Sequence, residues 1–117
     1  MKTDISRYKI ALEALKDNDN FSQIFDRFYN LMRNYSSWKD ALEEMSRQDK
    51  IEGMDYEQVS ARTEKALDLL VDGAREVNKA LNLLNEQTIP VERTDISDLA
   101  IQFKQKGPRF VDPIGNF

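Results

Sequence analysis

The sequence contains no cysteine and no histidine, and prolines account for only three of its 117 residues. Without those two side chains the chain has no thiol nucleophile, no Ser-His pair and no phosphohistidine relay. The usual zinc sites and the Glu-x-x-His motif of di-iron bundles are excluded for the same reason. We therefore expect no cofactor, no bound metal and no catalytic residues, and we predict that the protein is not an enzyme.

Long hydrophobic runs are also missing from the chain. No segment approaches the roughly 18 consecutive apolar residues that a membrane-spanning helix needs. The N-terminal segment MKTDISRYKIALEAL lacks the apolar region of a signal peptide. The sequence therefore predicts a cytoplasmic protein that has no membrane partner.

Basic charge is scarce in the middle of the chain. Residues 51–90 carry eight acidic and four basic side chains, whereas the two signs balance in residues 1–50 and in residues 91–117. The net charge of −4 therefore arises entirely in the central segment. Because a nucleic-acid surface needs an excess of lysine and arginine, we expect no nucleic-acid partner. The same acidity argues against an amphipathic helix on an anionic membrane.

Helical periodicity is present over most of the chain. Apolar residues spaced three and four apart predict a first short helix over residues 4–17, with Thr3 or Asp4 as its N-cap. The same spacing predicts a last short helix that begins with Thr94 or Asp95 as N-cap and ends at Gly107, before Pro108. The apolar face of this last helix is formed by Ile96, Leu99, Ala100 and Phe103.

The first long helix is predicted over residues 20–48, after the turn DNDN and with Asp19 or Asn20 as N-cap. Eight apolar or aromatic residues follow the alternating spacing of a helix that packs along one seam. They are Phe21, Ile24, Phe28, Leu31, Tyr35, Trp38, Leu42 and Met45. We predict that the aromatic residues among them belong to the core rather than to a ligand pocket. Ser37 offers an alternative N-cap that would divide this helix, but the seam keeps its register there and favours one helix.

The second long helix is predicted over residues 55–86, with Asp55 as N-cap and Gln58 at the capping-box position. Its apolar face is formed by Tyr56, Val59, Leu67, Leu70, Ala74, Val77, Leu81 and Leu84. Beside this face lies a row of small residues seven positions apart, which are Ala66, Gly73 and Ala80. Such a row lets another backbone approach closely, and this explains a glycine that costs about 1 kcal/mol inside a helix.

These patterns together predict an all-α protein. The expected architecture is an antiparallel hairpin of two long helices with short N- and C-terminal helices, in a four- to five-helix bundle. Residues 1–107 are predicted to form a single domain, since a chain of this length holds one core. Residues 108–117 are predicted to form an extended C-terminal tail, because Pro108 and Pro113 prevent a continuing helix.

Four acidic side chains recur at i, i+4 positions of the second long helix. They are Glu64, Asp68, Asp72 and Glu76, which we call the acidic stripe. Like charges at this spacing disfavour an isolated helix by about 0.2–0.5 kcal/mol per pair, so a neutralising group is expected. A divalent cation is a poor candidate, because a single helix face cannot enclose it. The other candidates are a basic partner protein or the basic side chains of this chain's own Lys104, Lys106 and Arg109.

An ordinary solvated helix face is the alternative interpretation of the acidic stripe. In that case basic side chains three positions away soften the acidic charge, and no partner is needed. These side chains are Lys65, Arg75 and Lys79.

The tail, residues 108–117, contains four apolar side chains. They are Phe110, Val111, Ile114 and Phe117. Burial of each contributes roughly 1.5–3 kcal/mol, whereas ordering the backbone costs about 1–2 kcal/mol per residue, so docking of the tail would be marginal. Three alternatives follow. The tail docks in the groove between its own long helices, it captures a partner, which can be a second copy of the same chain, or it stays disordered.

The function expected from these features is a non-enzymatic protein–protein interaction module, such as a small adaptor, inhibitor or immunity-type factor. The predicted partner-binding residues are Phe110, Ile114 and Phe117 as apolar anchors and the acidic stripe as the source of electrostatic steering. The alternative is a homodimer formed through the wide apolar face of residues 66–84.

Two known families were compared with this predicted architecture. In size and helix count the chain is similar to the four-helix bacteriocin immunity proteins, and this resemblance implies that the C-terminal segment contributes to specificity. It rests on architecture alone, since no motif is shared. The turn motif of the small secreted WxG proteins is missing, because Trp38 is followed by Lys39 and Asp40.

Overall fold

The computed structural model describes residues 6–48 and 55–106, with side chains described through residues 47 and 103. Within these ranges the chain forms four helices and no strand, so the predicted all-α class is confirmed. The helices are α1 Ser6–Asp17, α2 Ser22–Gln48, α3 Tyr56–Leu83 and α4 Arg93–Lys106. None of these helices is long and apolar enough to cross a membrane.

Several predictions fall outside the described residues. They concern the first N-cap at Thr3 or Asp4, the stop at Gly107 and the tail.

Helix α2 continues without a break through Ser37, as the seam predicted. The residues around the serine face the core: Tyr35 and Ser36 are buried, and Trp38 is partly buried. The Tyr35 hydroxyl also shares a hydrogen bond of 2.6 Å with Ser97 Oγ on α4. Burial of one continuous face therefore outweighs the alternative of a new N-cap at Ser37.

The start of α2 differs from the prediction. The Asn18 side-chain oxygen accepts a hydrogen bond of 2.9 Å from the backbone N–H of Asn20, which forms a tight Asx-type turn. The first helical carbonyl is that of Phe21, which accepts from the N–H of Phe25 at 3.2 Å. Asp19 and Asn20 therefore lie in the turn, and the prediction that one of them caps α2 was wrong.

The start of α3 matches the prediction, but its end does not. Asp55 is the N-cap, and its side chain accepts a hydrogen bond of 2.7 Å from the N–H of Gln58. The helix ends at Leu83 instead of residue 86 because Asn85 has a positive φ of 58°. The N–H of Glu86 then bonds the Leu81 carbonyl at 2.9 Å, as in a Schellman C-cap.

The start of α4 also differs from the prediction. The helix begins at Arg93, and the carbonyl of Glu92 accepts a hydrogen bond of 2.8 Å from the N–H of Ile96. Thr94 and Asp95 therefore lie inside the first turn rather than at the N-cap position. The predicted apolar face is confirmed, since all four of its side chains are buried: Ile96, Leu99, Ala100 and Phe103.

The buried face of α2 is wider than the predicted seam. Only Phe28, Tyr35 and Met45 of the eight seam residues are fully buried. Burial extends to a neighbouring row that the sequence analysis missed, and this row contains Phe25, Tyr29, Met32 and Ser36. The physical reason is that α2 contacts α1, α3 and α4, whereas a seam accounts for one partner helix.

An aromatic cluster joins α2 to α4. The rings of Phe25 and Tyr29 are nearly parallel with centroids 6.3 Å apart. The ring of Phe103 meets both edge-on, at 6.4 Å from Phe25 and 6.1 Å from Tyr29. Edge-to-face pairs at this distance are favourable beyond their buried area, so the cluster fixes the end of α4 against the first half of α2.

The row of small residues on α3 is closely packed, and its middle member lies against α2. Ala66 and Ala80 are buried, and a Cβ placed on Gly73 would lie 2.7 Å from Leu31 Cδ1 and 3.5 Å from Phe28 Cδ1. The larger residues of the predicted α3 face are buried too, with two exceptions. Leu84 is partly exposed, and Tyr56 is 51% exposed, so the prediction that Tyr56 extends this face was wrong.

The connection between α3 and α4 is held by one side chain of α3. The Asn78 amide donates to the Ile89 carbonyl at 2.9 Å, and its oxygen accepts from the Ile89 N–H at 2.8 Å. Ile89 is only 4% exposed, so both of its backbone polar groups need a partner inside the protein. Asn78 supplies that partner where Pro90 prevents a helix.

Replacement of Asn78 by alanine should destabilise the fold by about 1–3 kcal/mol, because it leaves two backbone groups of Ile89 without a partner. Urea denaturation measures this change. Asn82→Ala is the matched control, since Asn82 is exposed on the same helix and should change stability little. Equal stabilities of the two variants would contradict the role assigned to Asn78.

Burial raises the pKa of the Tyr29 phenol, although the charge of Arg33 opposes the shift. Because the folded pKa is raised, this phenol contributes stability that is fully present below pH about 10 and is lost as the pH rises through the folded pKa. We expect the unfolding free energy of Tyr29→Phe to fall less above pH 10 than that of the unsubstituted protein. An unchanged pH dependence in Tyr29→Phe would overturn this assignment.

Candidate functional site

The acidic stripe does not occupy a single face of the bundle. Each i, i+4 step turns about 40° further than one full helical turn. The three steps from Glu64 to Glu76 therefore rotate the stripe by roughly 120° around α3. Glu64 and Asp68 accordingly lie on the side of α3 next to α4, where they contact Arg93. Glu76 lies on the other side, where it lines a cleft with Arg27 of α2.

Arg93 joins the first half of the acidic stripe to the start of α4. Its Nη2 donates to Glu64 Oε2 at 2.5 Å, and its Nη1 donates to a carboxylate oxygen of Asp68. The hydrogen bond with Asp68 is the main cause that raises the pKa of Arg93. A cation is unfavourable at a helix N-terminus, and the two carboxylates offset this cost.

Arg93 was not predicted as the neutralising residue of the acidic stripe. It lies 25 and 29 residues from its two partners, so no helical spacing connects them. The only signal was that Arg93 is the single basic residue between Lys79 and Lys104. The predicted candidates Lys104, Lys106 and Arg109 have side chains outside the described part of the chain.

The second half of the acidic stripe is paired within its own helix. Arg75 Nη1 lies 3.3 Å from Asp72 Oδ1, and Lys79 Nζ lies 3.7 Å from Glu76 Oε1. All four side chains are well exposed, and such pairs contribute little to stability in water. Asp72 and Glu76 are therefore the members of the stripe that are most available to an external basic group.

A groove runs between α2 and α3, and two clefts lie along it. The first encloses about 90 Å³ and is lined by Ile24, Arg27, Phe28, Leu31, Gly73 and Glu76. The second encloses about 130 Å³ and is lined by Asn34, Trp38, Arg62, Lys65, Ala66 and Leu69. We call the two clefts together the α2–α3 groove. Its walls combine apolar side chains with charged side chains at the edges.

The second cleft is aromatic and basic. The guanidinium of Arg62 lies over the Trp38 ring, 5.3 Å from its centroid, in a cation–π contact. Leu69 is 44% exposed at the same place. The buried amide oxygen of Asn34 has no hydrogen-bond partner among the described residues. These features are typical of a surface that makes further contacts, since a large apolar side chain and a buried acceptor are left incompletely covered.

Only part of this groove was predicted from the sequence. The predicted seam contained Ile24, Leu31 and Trp38, and the small row contained Gly73, whereas Arg62 and Leu69 were not singled out. Arg62, Leu69, Glu76 and Leu83 are seven positions apart, and this heptad row beside the small residues was the signal that could have identified them. The predicted apolar anchors Phe110, Ile114 and Phe117 lie outside the described residues.

Metal binding finds no support in the geometry of the described ranges. Among residues 6–48 and 55–106 no three Asp or Glu side chains are grouped in a way that could hold a metal ion.

Comparisons with known proteins find no match: no family model, no curated protein and no solved structure matches the chain. The resemblance to the immunity proteins in size and helix count therefore stays a prediction from architecture.

The contact of Arg93 with Glu64 and Asp68 should stabilise the bundle slightly and in a salt-dependent way. We expect Arg93→Gln to lower the midpoint of urea unfolding at low ionic strength, and we expect added NaCl to reduce the difference, because salt screens exposed charges. Arg75→Gln is the matched control, since Arg75 pairs with Asp72 of its own helix and should have a smaller effect. A larger effect for Arg75→Gln than for Arg93→Gln would contradict the cross-helix role.

Proposed function

We propose that the protein is a non-enzymatic protein–protein interaction module of the cytoplasm, a small adaptor, inhibitor or immunity-type factor. The observation that carries this proposal is the α2–α3 groove, where Leu69 is 44% exposed beside the partly buried Trp38. An apolar strip with charged edges suits a partner that buries a few apolar anchors and pairs charges at the rim.

The scaffold that we propose is an antiparallel hairpin of α2 and α3 flanked by the short helices α1 and α4, with residues 108–117 as a tail. Contacts between the long helices support it: the hydroxyl oxygen of Thr63, which donates to Val59 within α3, also lies 3.2 Å from the Trp38 carbonyl oxygen, and Gly73 lies against Phe28. Early positions of α3 thus meet late positions of α2. Long helices of this kind present a rigid surface, which lowers the entropic cost of binding.

We propose two classes of partner-binding residues. The tail residues Phe110, Ile114 and Phe117 act as apolar anchors, since large apolar side chains supply most of the binding free energy in such interfaces. The acidic stripe of Glu64, Asp68, Asp72 and Glu76 attracts a basic partner. Its exposed carboxylates raise the association rate more than the affinity, as charges at an interface edge usually do.

A pull-down from host lysate tests this function. Full-length protein should retain a partner that is lost in a Phe110→Ala/Ile114→Ala/Phe117→Ala variant with unchanged helicity and melting temperature. A second variant, Asp72→Lys/Glu76→Lys, should slow association with the same partner, and added salt should reduce the difference.

Ile10→Ala is the control for these variants, since Ile10 is 74% exposed on α1 and lines neither cleft of the groove. It should retain the partner. The proposal fails if the anchor variant captures the same proteins as the unsubstituted chain.

A homodimer is the second candidate, favoured by two exposed leucines on one side of α3. Leu69 and Leu83 are 44% and 73% exposed and lie fourteen residues, or about four helical turns, apart. Sedimentation velocity separates the two functions. A dimer at low micromolar concentration that dissociates on Leu69→Gln/Leu83→Gln substitution supports the second candidate, whereas a monomer at all concentrations excludes it.

A further inference from the structure

The α2–α3 groove is left uncovered by every described element of the bundle. Both clefts lie between α2 and α3, whereas α4 packs elsewhere on α2, through Phe103 against Phe25 and Tyr29. Leu31 and Trp38 are consequently only partly buried. The question is which group covers these side chains in solution.

Measured along α2, the end of α4 lies level with one end of this groove. Phe103 packs against the first half of α2, which is also the half that lines the first cleft through Ile24 and Leu31. Residues 107–117 follow α4, and eleven extended residues reach about 36 Å. Passing one helix takes about 10 Å, and the groove from Ile24 to Trp38 measures about 21 Å along α2. The tail is therefore long enough to follow the groove.

The charges of the tail and of the groove fit where the tail would enter. The tail begins with the basic Arg109, and the first cleft is lined by Glu76 together with Arg27. An extended segment that enters at the first cleft therefore brings Arg109 to a carboxylate. The eight residues after Arg109 span about 26 Å when extended, so the apolar side chains of the tail can follow the groove to Trp38 in the second cleft.

We infer that residues 108–117 dock in the α2–α3 groove of their own chain, with Arg109 next to Glu76 and the apolar side chains of the tail toward Trp38. A protein partner then competes for the same apolar anchors, so partner binding exchanges an internal contact for an external one. The exchange is feasible because the burial of a few apolar side chains is nearly balanced by the cost of ordering the segment. Docking of the tail does not depend on the proposed function, whereas the competition with a partner rests on it.

Trp38 provides a direct probe of the docked state, because it is the only tryptophan in the chain and lines the second cleft. The experiment compares acrylamide quenching and emission wavelength of Trp38 in the full-length protein and in full-length Phe110→Ala/Ile114→Ala/Phe117→Ala. If the tail covers the cleft, the variant is quenched more strongly and its emission shifts to the red. Addition of a synthetic peptide of residues 104–117 should reverse both changes.

Ile10→Ala is the matched control, since it removes exposed apolar surface elsewhere and should leave the Trp38 signal unchanged. Identical quenching of the anchor variant and the unsubstituted protein overturns the inference. A difference that disappears on dilution also overturns it, because the tail would then occupy a second copy. Neither result requires a partner, so failure here is distinguishable from failure of the pull-down.

A charge exchange tests the direction of docking independently of the apolar anchors. Glu76→Arg should increase Trp38 quenching, and Glu76→Arg/Arg109→Glu should restore it, because the exchanged pair is again of opposite charge. Asp72→Arg/Arg109→Glu serves as the comparison, and it should restore less, since Asp72 does not line the cleft. Absence of rescue by the Glu76 pair would exclude the proposed direction.

Discussion

The close approach of α3 to α2 at Gly73 is the contact on which the rest of the structure depends. A Cβ at that position would lie 2.7 Å from Leu31 Cδ1, so the backbone of α3 comes as near to α2 as the Leu31 side chain allows. Close packing here buries Phe28 in the core and leaves Leu31 at the edge of the α2–α3 groove. The same contact therefore closes the core on one side and leaves the partly exposed apolar strip on the other.

Local features of the fold could be predicted from the sequence, whereas contacts between distant segments could not. The spacing of apolar residues identified the four described helices. The N-cap at Asp55 could be predicted because its partner, the N–H of Gln58, is three residues away. The second buried row of α2, with Phe25 and Met32, depends on where α1 and α4 pack. Arg93 was missed for a similar reason, since its carboxylate partners belong to another helix.

In the candidate site, too, patterns within one helix were predictable from the sequence and contacts between helices were not. The i, i+4 spacing located the acidic stripe correctly on α3, but its rotation around the helix decides which members face α4 and which face the groove. Residues such as Arg62 and Leu69 gain significance only because Trp38 and Asn34 of α2 lie opposite them. A sequence pattern within one helix contains no information about that pairing.

A double-mutant cycle on Gly73 and Leu31 tests the central contact most directly. Alanine favours a helix interior over glycine by about 1 kcal/mol, but the new Cβ must displace Leu31. Gly73→Ala should therefore stabilise the Leu31→Ala background more than the unsubstituted protein, with a coupling free energy above about 0.5 kcal/mol in urea denaturation. An equal effect of Gly73→Ala in both backgrounds would show that the two helices do not meet at this position.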